Sequence, residues 1–265
     1  MNVRSSTEAS VEELLDTAVD AARRAGELLL ERAAGPARGV STKSSPTDLV
    51  SDADRDSESL VIELITANRP DDGILSEEGG GEKSRSGLRW VIDPLDGTVN
   101  FLYGIPAWAV SIAVEDGDGA LAGAVFDPNQ QDMWTALRDR GAWLNGEQIR
   151  VSSESDLSRA LVGTGFSYNA DARAAQSQVV PRLLPRVRDI RRSGSAALDL
   201  AALACGRLDG FYEALMEPWD RAAGELIIRE AGGIVSPLEA PVGSSHGLVA
   251  AGPALHDQLR ALVVG

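Results

Sequence analysis

The feature that most constrains this chain is a stretch at residues 90–101, in which an apolar run ends in two closely spaced aspartates. After the apolar residues 90–92 the sequence continues with Asp93, Pro94, Leu95, Asp96, Gly97 and Thr98. Proline fixes φ and has no N–H donor, whereas glycine allows the backbone to approach a ligand closely. The pattern predicts a strand that ends with both carboxylates facing one point. It also predicts a helix start at which the N–H groups of Gly97 and Thr98 are suited to a phosphate.

Further acidic residues lie at the ends of other predicted elements. Glu77 and Glu78 follow the apolar run at residues 73–76. Three aspartates lie within residues 48–54, and Asp220 opens a helical pattern. Taken singly, each group is also typical of a turn, a helix cap or a solvated helix face. Four such clusters in one chain instead indicate that the carboxylates converge on one site.

Converging carboxylates need a compensating charge. Two carboxylates about 4 Å apart repel each other by roughly 4 kcal/mol at an effective dielectric constant near 20, against a total stability of roughly 5–15 kcal/mol. Bound divalent cations are the simplest compensation. Because no histidine or cysteine lies near the clusters, the oxygen ligands favour Mg²⁺, or else Mn²⁺, over Zn²⁺.

Composition restricts the class of protein and its partners. The 265 residues carry a net charge of −15, which suits cation binding and makes nucleic acid and anionic membranes unfavourable partners. The single cysteine, Cys205, excludes an internal disulfide and the usual thiol–metal frameworks. There is no run of about 18 apolar residues, and the first ten residues lack the apolar core of a signal peptide. We therefore expect a cytoplasmic protein without a membrane partner.

Hydrophobic periodicity predicts two leading helices, then a group of strands, then alternating strands and helices. Ser10 and Glu13 form a capping box before the first helix, and Gly35 ends it. The second helix carries Leu60 to Ile65 and stops before Pro70. Strands are predicted over residues 73–76, 88–92, 108–114, 121–126, 133–137, 160–163, 208–212 and 248–251. Helices are predicted over residues 195–205 and 219–231 and after the last strand, and over residues 176–187 with an interruption near Pro181 and Pro185. A hairpin turn is predicted at Asn145-Gly146. This is an α/β (α+β) protein with a mostly antiparallel first half and a mixed second half.

Together these motifs resemble the inositol monophosphatase family, within the wider superfamily of lithium-sensitive, magnesium-dependent phosphatases. The likeness extends over nearly the whole chain. It is carried by residues 73–78, 93–101, 219–224 and 230–233, and residues 43–50 are similar to the family's mobile active-site loop. The resemblance implies a layered α-β-α-β-α sandwich of the inositol monophosphatase and fructose-1,6-bisphosphatase type. It also implies a homodimer.

The resemblance assigns roles by position. It implies that two to three magnesium ions are held by Glu77, Asp93, Asp96, Asp220 and the main-chain carbonyl of Leu95. Thr98, hydrogen-bonded to Asp54, and Glu77 would activate water. Substrate contacts would come from Lys43, Asp96, Gly97, Thr98, Gly194, Ser195, Ala196, Glu213 and Asp220. Most metal ligands would then lie in an N-terminal half, residues 1–150, and the substrate-recognition residues and Asp220 in a C-terminal half, residues 151–265. Residues 192–197, taken alone, are equally typical of a helix cap.

The function implied is the Mg²⁺-dependent hydrolysis of the phosphate monoester of a small polyol, with inositol monophosphate as the first candidate. Residues 163–190 depart from the eukaryotic pattern, so the alcohol stays open. Histidinol phosphate, fructose 1,6-bisphosphate, 3'-phosphoadenosine 5'-phosphate and NADP are the alternative substrates. A regulatory binding protein is an alternative from another class, since some relatives bind transcription machinery. Residues 243–247 fit a nucleophile elbow, but too little chain follows for its partners, so a turn is favoured.

Overall fold

The structure is a computed structural model that describes residues 10–35, 39–43, 49–79, 81–239 and 246–265. The helices are α1 (Val11–Ala33), α2 (Asp52–Asn68), α3 (Thr98–Leu102), α4 (Ala170–Gln176), α5 (Val180–Leu183), α6 (Ala196–Ala204), α7 (Pro218–Glu230) and α8 (His256–Val264). The first strands are β1 (Ser41–Thr42), β2 (Leu49–Val50), β3 (Gly73–Ser76), β4 (Gly81–Glu82), β5 (Arg89–Asp96), β6 (Ala109–Asp116), β7 (Gly119–Asp127) and β8 (Asp132–Leu137). The remaining strands are β9 (Gly141–Leu144), β10 (Glu147–Gln148), β11 (Leu161–Thr164), β12 (Asp189–Arg191), β13 (Gly210–Glu213), β14 (Ile234–Glu239) and β15 (His246–Ala251).

The strands form two large sheets and one short ribbon. The first sheet has eight strands in the order β10-β9-β8-β7-β6-β5-β3-β4, and only its β3–β5 pair is parallel. The second sheet has five strands in the order β12-β11-β13-β15-β14, with β11 parallel to both of its neighbours. The ribbon pairs β1 with β2. The predicted contrast between a mostly antiparallel first half and a mixed second half is confirmed.

Five layers pack around three hydrophobic cores, and the middle core includes both faces of the central helices. Side chains alternate across each strand, so Trp90 and Ile92 of β5 pack under α1 and α2 whereas Val91 faces α6 and α7. The middle core lies between the sheets, where Leu200 of α6 meets Phe211 of the second sheet. The outer face of the second sheet is covered by α5 and α8. The predicted α-β-α-β-α sandwich is confirmed.

Close packing between α6 and α7 places the two helix starts beside each other. A Cβ added to Gly224 of α7 would lie 2.6 Å from a methyl carbon of Leu200 on α6. Only glycine permits so short an approach. Because α6 begins after Ser195 and Asp220 lies in the first turn of α7, this contact sets the distance between two predicted parts of the site.

The predicted interruption of the helix at residues 176–187 is confirmed, but the bounds of that helix are wrong. Helical structure begins earlier, with α4, and continues through a 3-10 turn into α5, after which the chain forms β12. Proline is tolerated in the first turn of a helix but not in its interior, so Pro181 lies at the start of α5 and Pro185 lies beyond its end. The sequence prediction also missed β14, which contains Pro237. This strand is at the edge of the second sheet, where proline is accepted.

Other local predictions are confirmed. Ser10 and Glu13 form the capping box of α1. Asn145 and Gly146 both have positive φ, at 51° and 86°, in the turn that joins β9 to β10. The division of the chain into halves 1–150 and 151–265 stays a prediction. Within the described residues no helix is long and apolar enough to cross a membrane. The predicted turn at residues 243–245 and the loop at residues 44–48 lie outside the described residues.

Candidate active site

One pocket is walled by residues from both halves of the chain. Its lining consists of Glu77, Asp93, Leu95, Asp96, Gly97, Thr98, Thr164, Gly165, Phe166, Tyr168, Arg192, Gly194, Ser195, Ala196, Asp199, Glu213 and Asp220. All the residues predicted to bind metal, together with most of those predicted to bind substrate, are therefore brought together. Lys43 and Asp54 are not in this wall, but each contacts a residue that is.

The end of β5 presents two of the carboxylates. Regular pairing with β6 is interrupted between Asp93 and Asp96, because Pro94 has no N–H to donate to the neighbouring strand. Asp93 is buried at this irregularity, and its Oδ1 accepts a hydrogen bond of 3.1 Å from the N–H of Leu95. The carbonyl of Pro94 accepts a 2.7 Å hydrogen bond from the hydroxyl of Ser57 on α2. The end of β5 is therefore held in place both by its own backbone and by α2.

Thr98 and Asp54 form a buried hydrogen-bond chain behind the pocket. The Thr98 hydroxyl donates to Asp54 Oδ1 at 2.7 Å. The other oxygen, Oδ2, accepts from the N–H of Ser51 at 2.8 Å and from its hydroxyl at 2.6 Å. Asp54 is fully buried, and its carboxylate is held in one orientation. The same hydroxyl also lies 3.2 Å from the carbonyl oxygen of Leu95, so Asp54 is the nearer of two acceptors for its one proton. A hydroxyl that donates to Asp54 keeps lone pairs that accept a hydrogen bond.

Lys43 contacts the acidic pair that follows β3. Its Nζ donates to Glu77 Oε1 at 2.8 Å and also to Glu78 Oε1. Burial opposes the positive charge, but the two carboxylates outweigh it and raise the pKa of Lys43. For the carboxyl of Glu77 burial acts in the opposite direction and raises the pKa, and Lys43 partly offsets that increase. Lys43 therefore remains a cation at the edge of the pocket.

Asp96 joins the first sheet to α6. Its Oδ2 accepts hydrogen bonds from the Ser195 hydroxyl at 2.5 Å and from the N–H of Ala197 at 2.6 Å. Burial raises the pKa of Asp96, whereas these donors lower it. Ser195 also caps α6 by accepting from the N–H of Leu198. The same hydroxyl thus fixes a predicted metal ligand and the start of a helix.

The carboxylates repel one another across the pocket. Burial raises the pKa of Asp93 well above its usual value, and the charges of Glu77, Asp96 and Asp220 raise it further. The pKa of Asp220 is raised well above its usual value by burial and then by Asp96 and Glu77. Within the described ranges, no three Asp, Glu, His or Cys side chains enclose a point closely enough to form a finished metal cage. Individual oxygens are instead held by Lys43 and Ser195.

This donor set nevertheless fits a hard divalent cation. It consists of oxygen atoms alone, and its charges are disfavoured by burial and by each other. A cation among them would relieve both penalties, because opposite charge favours ionised carboxylates. Oxygen ligands of this kind are those that Mg²⁺ and Mn²⁺ prefer.

Comparison with known proteins identifies the family. A sequence model of the inositol monophosphatase family matches residues 10–264. The chain belongs to the inositol monophosphatase family. This confirms the resemblance inferred from the motifs, and the family is one of metal-dependent phosphatases.

Individual relatives of this family are similar over most of their length. The inositol-1-monophosphatase SuhB of Mycobacterium tuberculosis is 44% identical over 250 residues, which cover 90% of this chain and 86% of that protein. The Nus factor SuhB of Escherichia coli is 43% identical over 225 residues and 84% of each chain. The crystal structure of the extragenic suppressor protein SuhB of Bartonella henselae has a TM-score of 0.89 and 35% identity, covering 95% of this chain and 98% of that one.

Asp199 is a member of the pocket that the sequence analysis missed. It is buried in the first turn of α6, and burial raises its pKa to about 7, although Ser193 lowers it. The signal was available, since a residue four positions after Ser195 lies on the same helix face. Glu213, on β13, is half-buried, and burial followed by the charge of Asp96 raises its pKa to about 8. The substrate side of this family member's pocket is therefore acidic as well.

We predict that, without divalent cations, the free energy of unfolding falls as the pH rises from about 6 to about 8.5. The folded chain raises the pKa of Asp199 from 3.8 to about 7 and that of Glu213 from 4.5 to about 8. The stability that these groups contribute is full below their unfolded pKa values and is lost as the pH rises through their folded ones. The expected loss from these two groups is roughly 4 kcal/mol, since about three pH units of titration at 1.36 kcal/mol each lie inside this window. Urea unfolding in EDTA at the two pH values measures it.

The matched control is the double variant Asp199→Asn, Glu213→Gln, which removes both titrations while keeping the side-chain shapes. Its unfolding free energy should change less between the two pH values than that of the natural chain. Equal pH dependence in the two proteins would contradict the assignment of these protons to Asp199 and Glu213.

Proposed function

We propose that the protein hydrolyses the phosphate monoester of a small polyol in a Mg²⁺-dependent reaction, with inositol monophosphate as the preferred substrate. Membership of the inositol monophosphatase family supports the reaction class. The observation that carries the proposal is the convergence of Glu77, Asp93, Asp96 and Asp220 on one pocket, beside the Thr98–Asp54 pair. Phosphate monoesters need such a site, since their uncatalysed hydrolysis requires acceleration of up to about 10²¹-fold.

The proposed cation ligands are Glu77, Asp93, Asp96, Asp220 and the main-chain carbonyl of Leu95. Two to three Mg²⁺ ions are the proposed complement, and Mn²⁺ has similar ligand preferences. When bound, such ions polarise phosphoryl oxygens, lower the pKa of water and stabilise the leaving alkoxide. Lys43 keeps Glu77 in place in the absence of a cation.

The protein's own contribution to proton transfer centres on Thr98. Its hydroxyl proton points to Asp54 Oδ1, so the free lone pairs of Oγ1 accept a hydrogen bond from the attacking water. Asp54 cannot rotate away, since Ser51 holds its second oxygen with two donors. The carboxylate of Glu77 is the second proposed acceptor of a proton from that water. Thr98 and Glu77 together would orient the nucleophile and remove its proton.

Substrate binding divides between the two halves of the pocket. We assign the phosphate to the N–H groups of Gly97 and Thr98 and to the ammonium of Lys43. Gly97 has a φ of +99°, a conformation that glycine adopts without strain. The polyol hydroxyls are assigned to Glu213, to Asp220 and to residues 194–196 at the start of α6. Several acceptors facing one cavity favour a ligand with several hydroxyl groups, which is the support for a polyol.

A regulatory binding role is the second candidate function. The Escherichia coli relative carries the name Nus factor SuhB, and this chain is similar enough to share such a role. The arrangement of acidic groups supports catalysis first, because a binding protein has no need for carboxylates held against their own repulsion. The homodimer and the cytoplasmic location stay predictions.

We predict that Asp93→Asn lowers Mg²⁺-dependent phosphatase activity by more than about a hundredfold. Loss of a residue that only supports a metal ligand already lowers activity by up to about a hundredfold, and Asp93 is a proposed ligand itself. The fold should survive, because the variant removes a buried charge that its neighbours disfavour. Phosphate release measures activity, and thermal unfolding measures the fold. The matched control is Asp127→Asn, another buried aspartate with a raised pKa, whose Oδ1 accepts two backbone hydrogen bonds that asparagine retains. Full activity of the folded Asp93 variant would contradict the assignment.

Steady-state kinetics on a panel of phosphate esters tests the substrate. We expect kcat/KM to be higher for inositol monophosphate than for histidinol phosphate, fructose 1,6-bisphosphate, 3'-phosphoadenosine 5'-phosphate or NADP, and to depend on Mg²⁺. A reversed order would replace the proposed alcohol but keep the reaction. Absence of phosphate release from every ester, with Mg²⁺ or Mn²⁺ present, would favour the regulatory binding role.

A further inference from the structure

Two glycines lie on the face of β11 that packs against α6. The strand runs parallel to β13, and alternate residues of a strand lie on the same face. A Cβ added to Gly163 would lie 3.0 Å from the ring of Phe211 on β13. Gly165, the next residue on this face, follows the end of β11 and lies beside Glu213. The two glycines therefore leave room for two side chains of β13.

The carboxyl group of Glu213 occupies the space that a side chain at position 165 would fill. A Cβ added to Gly165 would overlap both oxygens and the carboxyl carbon of Glu213. The backbone itself does not require glycine here, because the φ of Gly165 lies outside the positive range that favours glycine. The requirement for glycine at this position therefore comes from the Glu213 side chain.

Glu213 differs from the other carboxylates of the active-site pocket in its hydrogen bonding. The others each accept a hydrogen bond from the protein: Glu77 from Lys43, Asp93 from Leu95, Asp96 from Ser195, Asp199 from Ser193 and Asp220 from Glu217. Among the residues that the structure describes, none donates a hydrogen bond to the carboxyl group of Glu213. The space beside Gly165, rather than a donor, determines where this group lies. Its oxygens remain available to a ligand in the pocket.

From this arrangement we infer that Gly165 is a positioning residue that determines specificity for alcohols with several hydroxyl groups. Gly165 and Glu213 both line the pocket. A side chain at position 165 would move the Glu213 carboxyl group away from the substrate hydroxyls and leave the proposed metal ligands in place. The inference rests on the proposed function, in which Glu213 binds the hydroxyl groups of the alcohol. It adds a residue from the segment 163–190, whose sequence left the alcohol open.

The test compares two phosphate esters as substrates of the full chain with Mg²⁺. One is inositol 1-phosphate, and the other is p-nitrophenyl phosphate, whose alcohol has no further hydroxyl group. Gly165→Ala should lower the ratio of kcat/KM for the first ester to kcat/KM for the second at least about tenfold, since hydrogen bonds to a charged group are lost. The change should be mainly a higher KM for inositol 1-phosphate, because hydroxyls remote from the phosphate are bound equally in the ground and transition states.

The matched control is Gly117→Ala, in the exposed turn between β6 and β7. A Cβ added to Gly117 would have no atom within 4 Å, and its φ also lies outside the positive range. Gly117→Ala should leave the ratio unchanged. An equal ratio in the Gly165→Ala and Gly117→Ala variants would overturn the inference.

A double-variant cycle separates a positioning role from a merely structural one. In the Glu213→Ala background there is no carboxyl group to displace, so the further change Gly165→Ala should alter the ratio less than about twofold. Residues that act through one contact are not additive, whereas independent effects add. The same loss on Gly165→Ala in both backgrounds would show a structural role and overturn the inference.

A crystal structure of the Gly165→Ala variant tests the displacement independently of activity. The variant should fold, because the overlapping atoms are the end of a flexible side chain. We expect the Glu213 carboxyl group to have rotated away from position 165, and an unmoved carboxyl group would overturn the inference. Failure of the natural chain to hydrolyse inositol 1-phosphate would contradict the proposed function and remove the inference with it. Normal hydrolysis with an unchanged ratio in Gly165→Ala would overturn the inference alone.

Discussion

Repulsion among carboxylates at the junction of the two sheets is the constraint on which the rest of the structure depends. Asp93 is buried, and Asp96 and Asp220 are half-buried within reach of its charge. Such groups lose hydration and oppose each other, so folding alone does not favour them. Favourable packing elsewhere offsets this unfavourable free energy. The alanine side chains of α1 pack against the first sheet, and α6 and α7 approach closely at Gly224. Buried carboxylates that repel one another are suited to bind cations, because an opposite charge stabilises their ionised form.

The two halves of the chain depend on one another at this junction. Asp96 comes from the first sheet, yet its hydrogen-bond donors are Ser195 and Ala197 at the start of α6. Asn100 similarly donates to the carbonyl of Ser193 at 2.9 Å. Displacing α6 would therefore disturb a proposed metal ligand as well as the substrate wall. This coupling explains how a residue in the second half, Asp220, reaches a pocket built mainly on β5.

Local sequence signals predicted most helices and strands and most of the pocket, because caps, turns and strand ends depend on residues that are close in sequence. Residues 93–98 predicted the strand end and helix start that carry Asp93 and Asp96, and Asn145-Gly146 predicted a hairpin turn. The features that were not predicted depend on residues that are distant in sequence. Pro237 fits a strand only because β14 is at a sheet edge, and Asp199 joins the pocket only because α6 packs beside Glu213 on β13.

Side chains from both halves of the chain are proposed to bind divalent cations in one place. Anomalous diffraction from crystals of the active protein grown with Mn²⁺ measures where those cations bind. We expect manganese peaks inside the pocket walled by Glu77, Asp93, Asp96 and Asp220. Peaks found only at other acidic surfaces, with none in this pocket, would contradict it.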